Sequence, residues 1–205
     1  SPWHVGRQHR LHQPRHHLFI LMNSTSAAPI RDQFWSARLF LLLLLLVVLA
    51  VFPKVILGLT AFFFRDAGAL GYPGAFYFQQ SILHGELPSW NPYSHCGVPY
   101  MAQMGQWYPG SWLGVLLPLP WSVNLTLFAH LILGGWGMYA LARRWGVDGF
   151  AACFAGLAYA FNGVTLSCFQ WGNYIASLGW LPWVVLAVTE AWRKGGRWIP
   201  VAAVV

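Results

Sequence analysis

Charge is what this sequence has least of. Only 8% of its 205 residues are Asp, Glu, Lys or Arg, and only five are acidic. A water-soluble domain carries about 25% charged residues, so this chain has too few to cover a water-facing surface. Cysteine is also scarce. Cys96, Cys153 and Cys168 are the whole set, too few for a disulfide-built secreted scaffold. Intrinsic disorder needs low hydrophobicity, whereas 57% of this chain is hydrophobic and its mean hydropathy is +0.50. The net charge of +7 does not indicate a nucleic-acid partner. A nucleic-acid binder gathers its basic residues on one accessible face. Here they stand in small groups between apolar runs, which is the pattern of a membrane protein.

Those apolar runs are long enough to be spans, which need about 20 mostly apolar residues. The first covers residues 39–64 and includes six consecutive leucines, 41–46. As one helix it would measure about 39 Å, longer than a hydrocarbon core of about 30 Å, and Pro53 predicts a kink within it. Its apolar length also exceeds that of a cleaved signal peptide. The second run is 121–142, the third 150–169 and the fourth 171–192, with Pro182 inside the last. A fifth begins at Trp198 and is cut off at 205. Residues 65–120 contain no such stretch and read as a long loop. The sequence predicts an all-α integral membrane protein.

Before the first span, residues 22–38 read as a cytoplasmic N-terminus. Residues 1–21 are unlike the rest, with five of the eight histidines and no acid. One reading is a metal-binding His tract. The reading adopted is a non-native leader ahead of a start at Met22.

Lys and Arg orient the bundle, because positively charged loops remain cytoplasmic. Arg31 and Arg38 precede the first span, Arg143 and Arg144 follow the second, and Arg193, Lys194 and Arg197 follow the fourth. The long loop carries Arg65 and the 167–173 turn carries no basic residue. This alternation predicts a cytoplasmic N-terminus and an outer loop at 65–120. Trp121, Trp145, Trp171, Trp192 and Trp198 lie near span ends, as interfacial aromatics do. Ala152, Gly156 and Ala160 form a small-residue stripe on the third span that permits close helix approach. Spans two to four are read as lacking acidic and basic side chains in their interiors, with His130 the one imidazole deep within them. His130 is expected to be hydrogen-bonded inside the bundle rather than to serve as a coupling site.

Chemistry is therefore sought in the outer loop. Asp66 opens it, beside Arg65, at the depth of a lipid headgroup. A carboxylate there can take a proton from a hydroxyl or ligate a metal, or simply be a solvated loop acid. At about 100° per residue, Ala75, Phe76, Phe78, Ile82 and Leu83 within residues 74–84 fall in one arc, with Gln79 intruding. Tyr77, Gln80, Ser81 and His84 fall opposite. The pattern predicts a short amphipathic helix lying in the interface or packed on the bundle. Beyond it, Gly85, Pro88, Pro92, Gly97 and Pro99 are expected to forbid regular structure. Trp90, Asn91 and Tyr93 in this loop, and Tyr108 after it, suit stacking on sugar rings and bonding to their hydroxyls. His84, Glu86, His95 and Cys96 match no structural zinc spacing, so no metal site is assigned. Lys54, near the outer half of the first span, is a phosphate-binding candidate or a snorkelling lysine.

Asp66, the run Gly85-Glu-Leu-Pro-Ser-Trp-Asn-Pro-Tyr93, Cys96-Gly-Val-Pro99, Tyr108-Pro109, Gly137-Met-Tyr-Ala-Leu-Ala-Arg-Arg144 and Trp180-Leu-Pro182 together resemble the N-terminal part of bacterial YfhO-like membrane proteins. The resemblance covers about residue 38 to the end. It implies a multi-span bundle of the GT-C glycosyltransferase type in the bacterial cell membrane. The bundle would carry a large first outer loop, with an interfacial helix and an acid at the loop's start. It implies transfer of a sugar from a polyprenyl-phosphate carrier to a cell-envelope glycopolymer or glycolipid, such as lipoteichoic acid. Asp66 would be the base, with or without a divalent cation (Mg or Mn). Arg65 and Lys54 would be candidates for the carrier phosphate. The 167–173 turn, where some members of that superfamily place further acids, has none here. A flippase or transporter, or a non-catalytic envelope-assembly protein, would use the same kind of bundle without chemistry at Asp66.

Overall fold

The computed structural model describes residues 35–103, 107–196 and 198–204. The His-rich leader and Met22 lie outside the described residues. Among the described residues the fold is all-α apart from one two-residue ladder. Among the described residues, three stretches are long and apolar enough to cross a membrane: Leu119–Arg144, Gly149–Gln170 and Gly172–Lys194.

Helix α1 is Ala37–Val51. Ser36 caps it, its hydroxyl accepting from Leu39 N, and Phe40, Leu44 and Val48 bury one face at four-residue spacing. The expected single helix over 39–64 is not observed. Pro53 has no N–H to continue α1. It instead starts the four-residue α2, Pro53–Ile56, which ends ahead of Gly58 at φ +72°. Residues 57–64 are apolar but irregular.

The 65–120 segment is more ordered than its prolines and glycines suggested. A π-helical turn, Ala67–Gly71, leads into α3, Tyr72–Leu83. Strands β1 (Trp90–Asn91) and β2 (Val98–Pro99) pair antiparallel. The Trp90 ring lies over Gly97, where a Cβ would come within 2.8 Å of its Nε1. That glycine, at φ +109°, lets the hairpin close. Helices α4 (Tyr100–Gln103) and α5 (Pro109–Val115) follow. Tyr100 is fully buried and its hydroxyl donates to Gly74 O, which ties the hairpin to α3. Burial, and then neighbouring Tyr77, hold the Tyr100 phenol well above the ordinary tyrosine pKa.

The bundle itself is α6 (Leu119–Arg144), α7 (Gly149–Ala160) and α9 (Gly172–Lys194), with α1 against α6. Asp148 caps α7 through Ala151 N. Asn162 caps the short α8, Gly163–Ser167, through Thr165 N. Helix α10, Trp198–Val204, returns against α9. Small residues set the spacing. A Cβ on Gly156 would lie 2.7 Å from Gly135 O, and one on Gly179 would lie 2.9 Å from His130 O. Pro182 is fully buried within α9. It cannot bond the carbonyl of Leu178, and Tyr159 Oη from α7 donates to that carbonyl instead (2.8 Å). Re-satisfying a proline-freed carbonyl from a neighbouring helix is what a water-free interior requires.

The two ends of the bundle differ. At one, Glu190 near the end of α9 is buried. It pairs with Arg144 Nε on α6 and with Lys194 Nζ (2.6 Å). The expectation that spans two to four lack interior charges is thus corrected at Glu190. Lying one helical turn before Lys194, it is the shared carboxylate of an ion-pair cluster that ties α6 to α9. The other end carries the loop elements.

Candidate functional site

The loop end encloses a cavity of about 370 Å³ between the π-helical turn, α3, α5, α6 and the first turn of α9. Asp66 stands at its edge. The chain arrives there through Arg65 in a left-handed conformation, φ +47°, which is sparsely allowed for a residue with a Cβ. Asp66 Oδ2 accepts from Trp171 Nε1 (2.5 Å), a residue 105 positions away on the turn before α9. Below it, Phe169 and Leu127 line the cavity. Phe169 belongs to a ring cluster with Phe52, Phe62 and Phe128, centroids 5.0–6.2 Å apart. The carboxylate therefore faces a small chamber whose floor is aromatic and whose walls carry hydroxyls and amides, Ser111, Ser122, Thr126, Gln170 and Asn173. Gln170 Nε2 donates to Ser167 O, and its buried Oε1 has no partner among the described residues.

Gln79 explains its own intrusion on the apolar arc of α3. It is buried, and its Nε2 approaches three carbonyls at the end of α5 and just beyond, Gly114 O, Val115 O and Leu117 O, at 3.4, 3.2 and 2.5 Å. A primary amide has two N–H groups, so the three share two donors. Carbonyls at a helix C-terminus lack intrahelical partners; Gly114 O also accepts from Leu117 N (3.3 Å). Gln79 thus fastens one cavity wall to another. Conversely, Phe76 and Leu83 of the expected apolar arc are exposed, while Ser81 is buried.

Of the candidate catalytic and substrate-binding residues, Asp66 and Tyr108 share this cavity. Asn91 and Tyr93 do not. They line a separate groove on the far side of α3 with His84, Glu86, Tyr77 and Ser94. Asn91 is buried, its Oδ1 accepting from Tyr93 N, which makes it a turn-former. Trp90, Arg65 and Lys54 line neither space, and all three are exposed. Arg65 nevertheless adjoins Asp66 in sequence. The cavity's donor set also does not make a cation site. One carboxylate, with one oxygen already bonded to an indole, is accompanied by no second acid among the lining residues. Mg²⁺ and Ca²⁺ sites gather several oxygen ligands, with carboxylates prominent among them.

Three side chains named in the sequence have site contacts that it did not show. Trp171 was assigned to an interfacial belt, but it holds the carboxylate. Its signal was the polar run Gln170-Trp171-Gly172-Asn173 in an apolar chain. Trp180 and His130 stand behind the cavity wall and hydrogen-bond to Tyr108, which lines it. Trp180 Nε1 donates to Tyr108 Oη (3.0 Å), and Tyr108 Oη meets His130 Nε2 at 2.6 Å. His130 is hydrogen-bonded inside the bundle, as expected, with Nδ1 2.7 Å from Thr126 O. A groove of about 430 Å³ then continues from Tyr108, Asn173 and Ala176, residues it shares with the cavity, along α9 past Ser177, Trp180, Leu181 and Val184.

Comparison with known protein families, with curated proteins and with solved structures finds no match to this chain.

Proposed function

We propose that the chain is the N-terminal part of a membrane glycosyltransferase of the GT-C type. It moves a sugar from a polyprenyl-phosphate carrier to a cell-envelope acceptor on the outer face of a bacterial membrane. The observation that carries this reading is Asp66, a carboxylate on the wall of a membrane-flanked cavity, held by Trp171 through one oxygen with the other not engaged by any described donor. The groove along α9 has the apolar lining that an isoprenoid tail requires and opens into the same space.

In this reading Asp66 Oδ1 takes the proton of the acceptor hydroxyl. The acceptor oxygen attacks the anomeric carbon from the face opposite the carrier. The bond from that carbon to the phosphate oxygen breaks, and the polyprenyl phosphate leaves with the electron pair. One bond forms, one breaks, and the configuration inverts. Trp171 fixes the carboxylate, and the aromatic floor keeps bulk water from competing as acceptor. No step is routed through a divalent cation, because the donor set does not fit one.

The test is Asp66→Asn in the full-length protein, assayed by transfer of labelled sugar from polyprenyl phosphate to surface polymer. The amide keeps the shape but cannot take the proton. A loss of about 10²–10⁴-fold is expected, with membrane insertion intact, while Glu86→Gln, outside the cavity, has a milder effect. Transfer at the wild-type rate by Asp66→Asn would give the lead to a transporter or assembly role. Orientation is tested separately. Cysteine placed at Ser94 in a cysteine-free background is expected to label from outside, and cysteine at Arg143 or Arg193 is not. The reverse pattern overturns the outer placement of the loop.

A further inference from the structure

The Tyr108–His130–Trp180 cluster behind the cavity wall has a hydrogen-bonding sense that follows from its partners alone. His130 Nδ1 lies 2.7 Å from Thr126 O. A carbonyl only accepts, so Nδ1 carries the ring proton. In the neutral ring Nε2 is then a bare lone pair, and the group 2.6 Å from it is the Tyr108 hydroxyl. The Tyr108 proton must therefore point at His130. The indole N–H of Trp180 is donor only, so its contact with Tyr108 Oη (3.0 Å) occupies a lone pair. The phenol has thus committed its one proton and one acceptor direction, and what it retains for a ligand is acceptor capacity.

We infer that Tyr108 is an acceptor-only recognition point, and that it selects a ligand hydroxyl over a phosphate oxygen at the junction of the cavity and the α9 groove. A sugar hydroxyl can donate to it. A phosphate oxygen would oppose lone pair to lone pair. This rests on the reading of the cavity as the seat of a sugar carrier and adds which part of the carrier meets this wall: the sugar, with the phosphate excluded from it. His130 is a positioning residue here. It buries 95% of its surface and acts through the proton it draws from Tyr108. A second consequence follows from the same atoms. Without an acceptor at position 130, the Tyr108 proton is released toward the ligand and the selection inverts.

The probes are farnesyl β-glucoside and farnesyl phosphate, which share one tail and differ in the headgroup, titrated against the full chain in lipid nanodiscs. Wild type is expected to favour the glucoside. Tyr108→Phe, which keeps the ring, should lose about 3- to 10-fold in glucoside affinity, the worth of one hydrogen bond, and gain nothing for the phosphate. His130→Phe should shift preference toward the phosphate by a similar factor, and a merely structural role for His130 would weaken both probes alike. His130→Gln, which restores an acceptor to Tyr108, should recover the wild-type preference. A readout that needs no variant to fold is the ¹⁵N spectrum of histidine-labelled wild type. It is expected to show His130 protonated at Nδ1 and bare at Nε2. The opposite tautomer, or equal losses for both probes in His130→Phe, overturns the inference. Failure of the glycosyltransferase reading looks different. In that case Asp66→Asn leaves transfer unchanged while the headgroup preference persists.

Discussion

The glycines of the helix bundle and the two glycines beside Asp66 and Trp171 are used in opposite ways. Inside the bundle, Gly134, Gly135, Gly156 and Gly179 are where helices touch backbone to backbone, and an added Cβ would fall within about 3.3 Å of a neighbouring helix at each of them. At the loop end, Gly71 and Gly172 border the cavity. A Cβ on Gly71 would meet nothing closer than Asp66 O at 3.7 Å, and one on Gly172 would meet nothing within 4 Å. The first group removes space so that helices can close. The second preserves space beside the carboxylate. Membrane helices gain little from apolar burial against lipid, so their association depends on such close packing. A bundle made rigid in this way can hold an open chamber at one end.

The comparison predicts its largest effect at Gly156. Replacement by Leu should prevent α7 from docking on α1 and α6, with loss of the monodisperse folded protein in detergent. Replacement of Gly156 or Gly179 by Ala should lower the unfolding midpoint. On Gly156 the methyl would meet the buried Phe40 ring and, at 2.7 Å, Gly135 O, and on Gly179 it would meet His130 O at 2.9 Å; overpacking of this kind costs about 1–3 kcal/mol. That exceeds the gain of about 1 kcal/mol that Ala brings to a helix interior. An unchanged midpoint for both alanine variants would mean that the helices are not in contact at these glycines.

These contacts explain what could be read from the chain and what could not. Spans 121–142, 150–169 and 171–192 were legible because hydropathy sums over many residues. The first and last of these are continuous helices whose ends differ from those bounds by only one or two positions, whereas 150–169 is broken after Ala160, with α8 restarting at Gly163. The stripe Ala152, Gly156 and Ala160 was legible as a packing face, and all three are buried. The end of the first helix was not. Residues 57–64 are as apolar as a span, and hydropathy does not register that Pro53 and Gly58 break the backbone there. Asp66 was found because an acid in an apolar chain is conspicuous. Its partner Trp171 was not, because pairing across 105 residues is a property of the packed bundle. The same holds for Tyr159, whose bond to Leu178 O answers Pro182 only once α7 and α9 are side by side. Gln79 shows the limit of helical periodicity. The arc placed it among apolar residues, and it is indeed buried, for a polar reason supplied by carbonyls 35–38 positions later.

The smallest predicted effect sharpens the comparison most. Gly172 begins α9, is exposed, and has room for a side chain. Gly172→Ala should therefore leave the unfolding midpoint unchanged or raise it slightly, since the substitution reduces the freedom of the unfolded chain and favours the helix, by at most about 1 kcal/mol. Gly172→Trp should also fold, because the ring enters open space, but it would occupy the mouth of the cavity beside Trp171 and Asp66. Its expected signature is weaker binding of a farnesyl-linked glucoside at an undiminished midpoint. The Gly156 and Gly179 variants should show the opposite, losing stability before any question of binding arises. A drop in midpoint for Gly172→Ala as large as that for Gly156→Ala would mean that another part of the chain packs over this glycine. The chamber would then be closed where Asp66 needs it open, and the carboxylate would have to be regarded as a structural partner of Trp171.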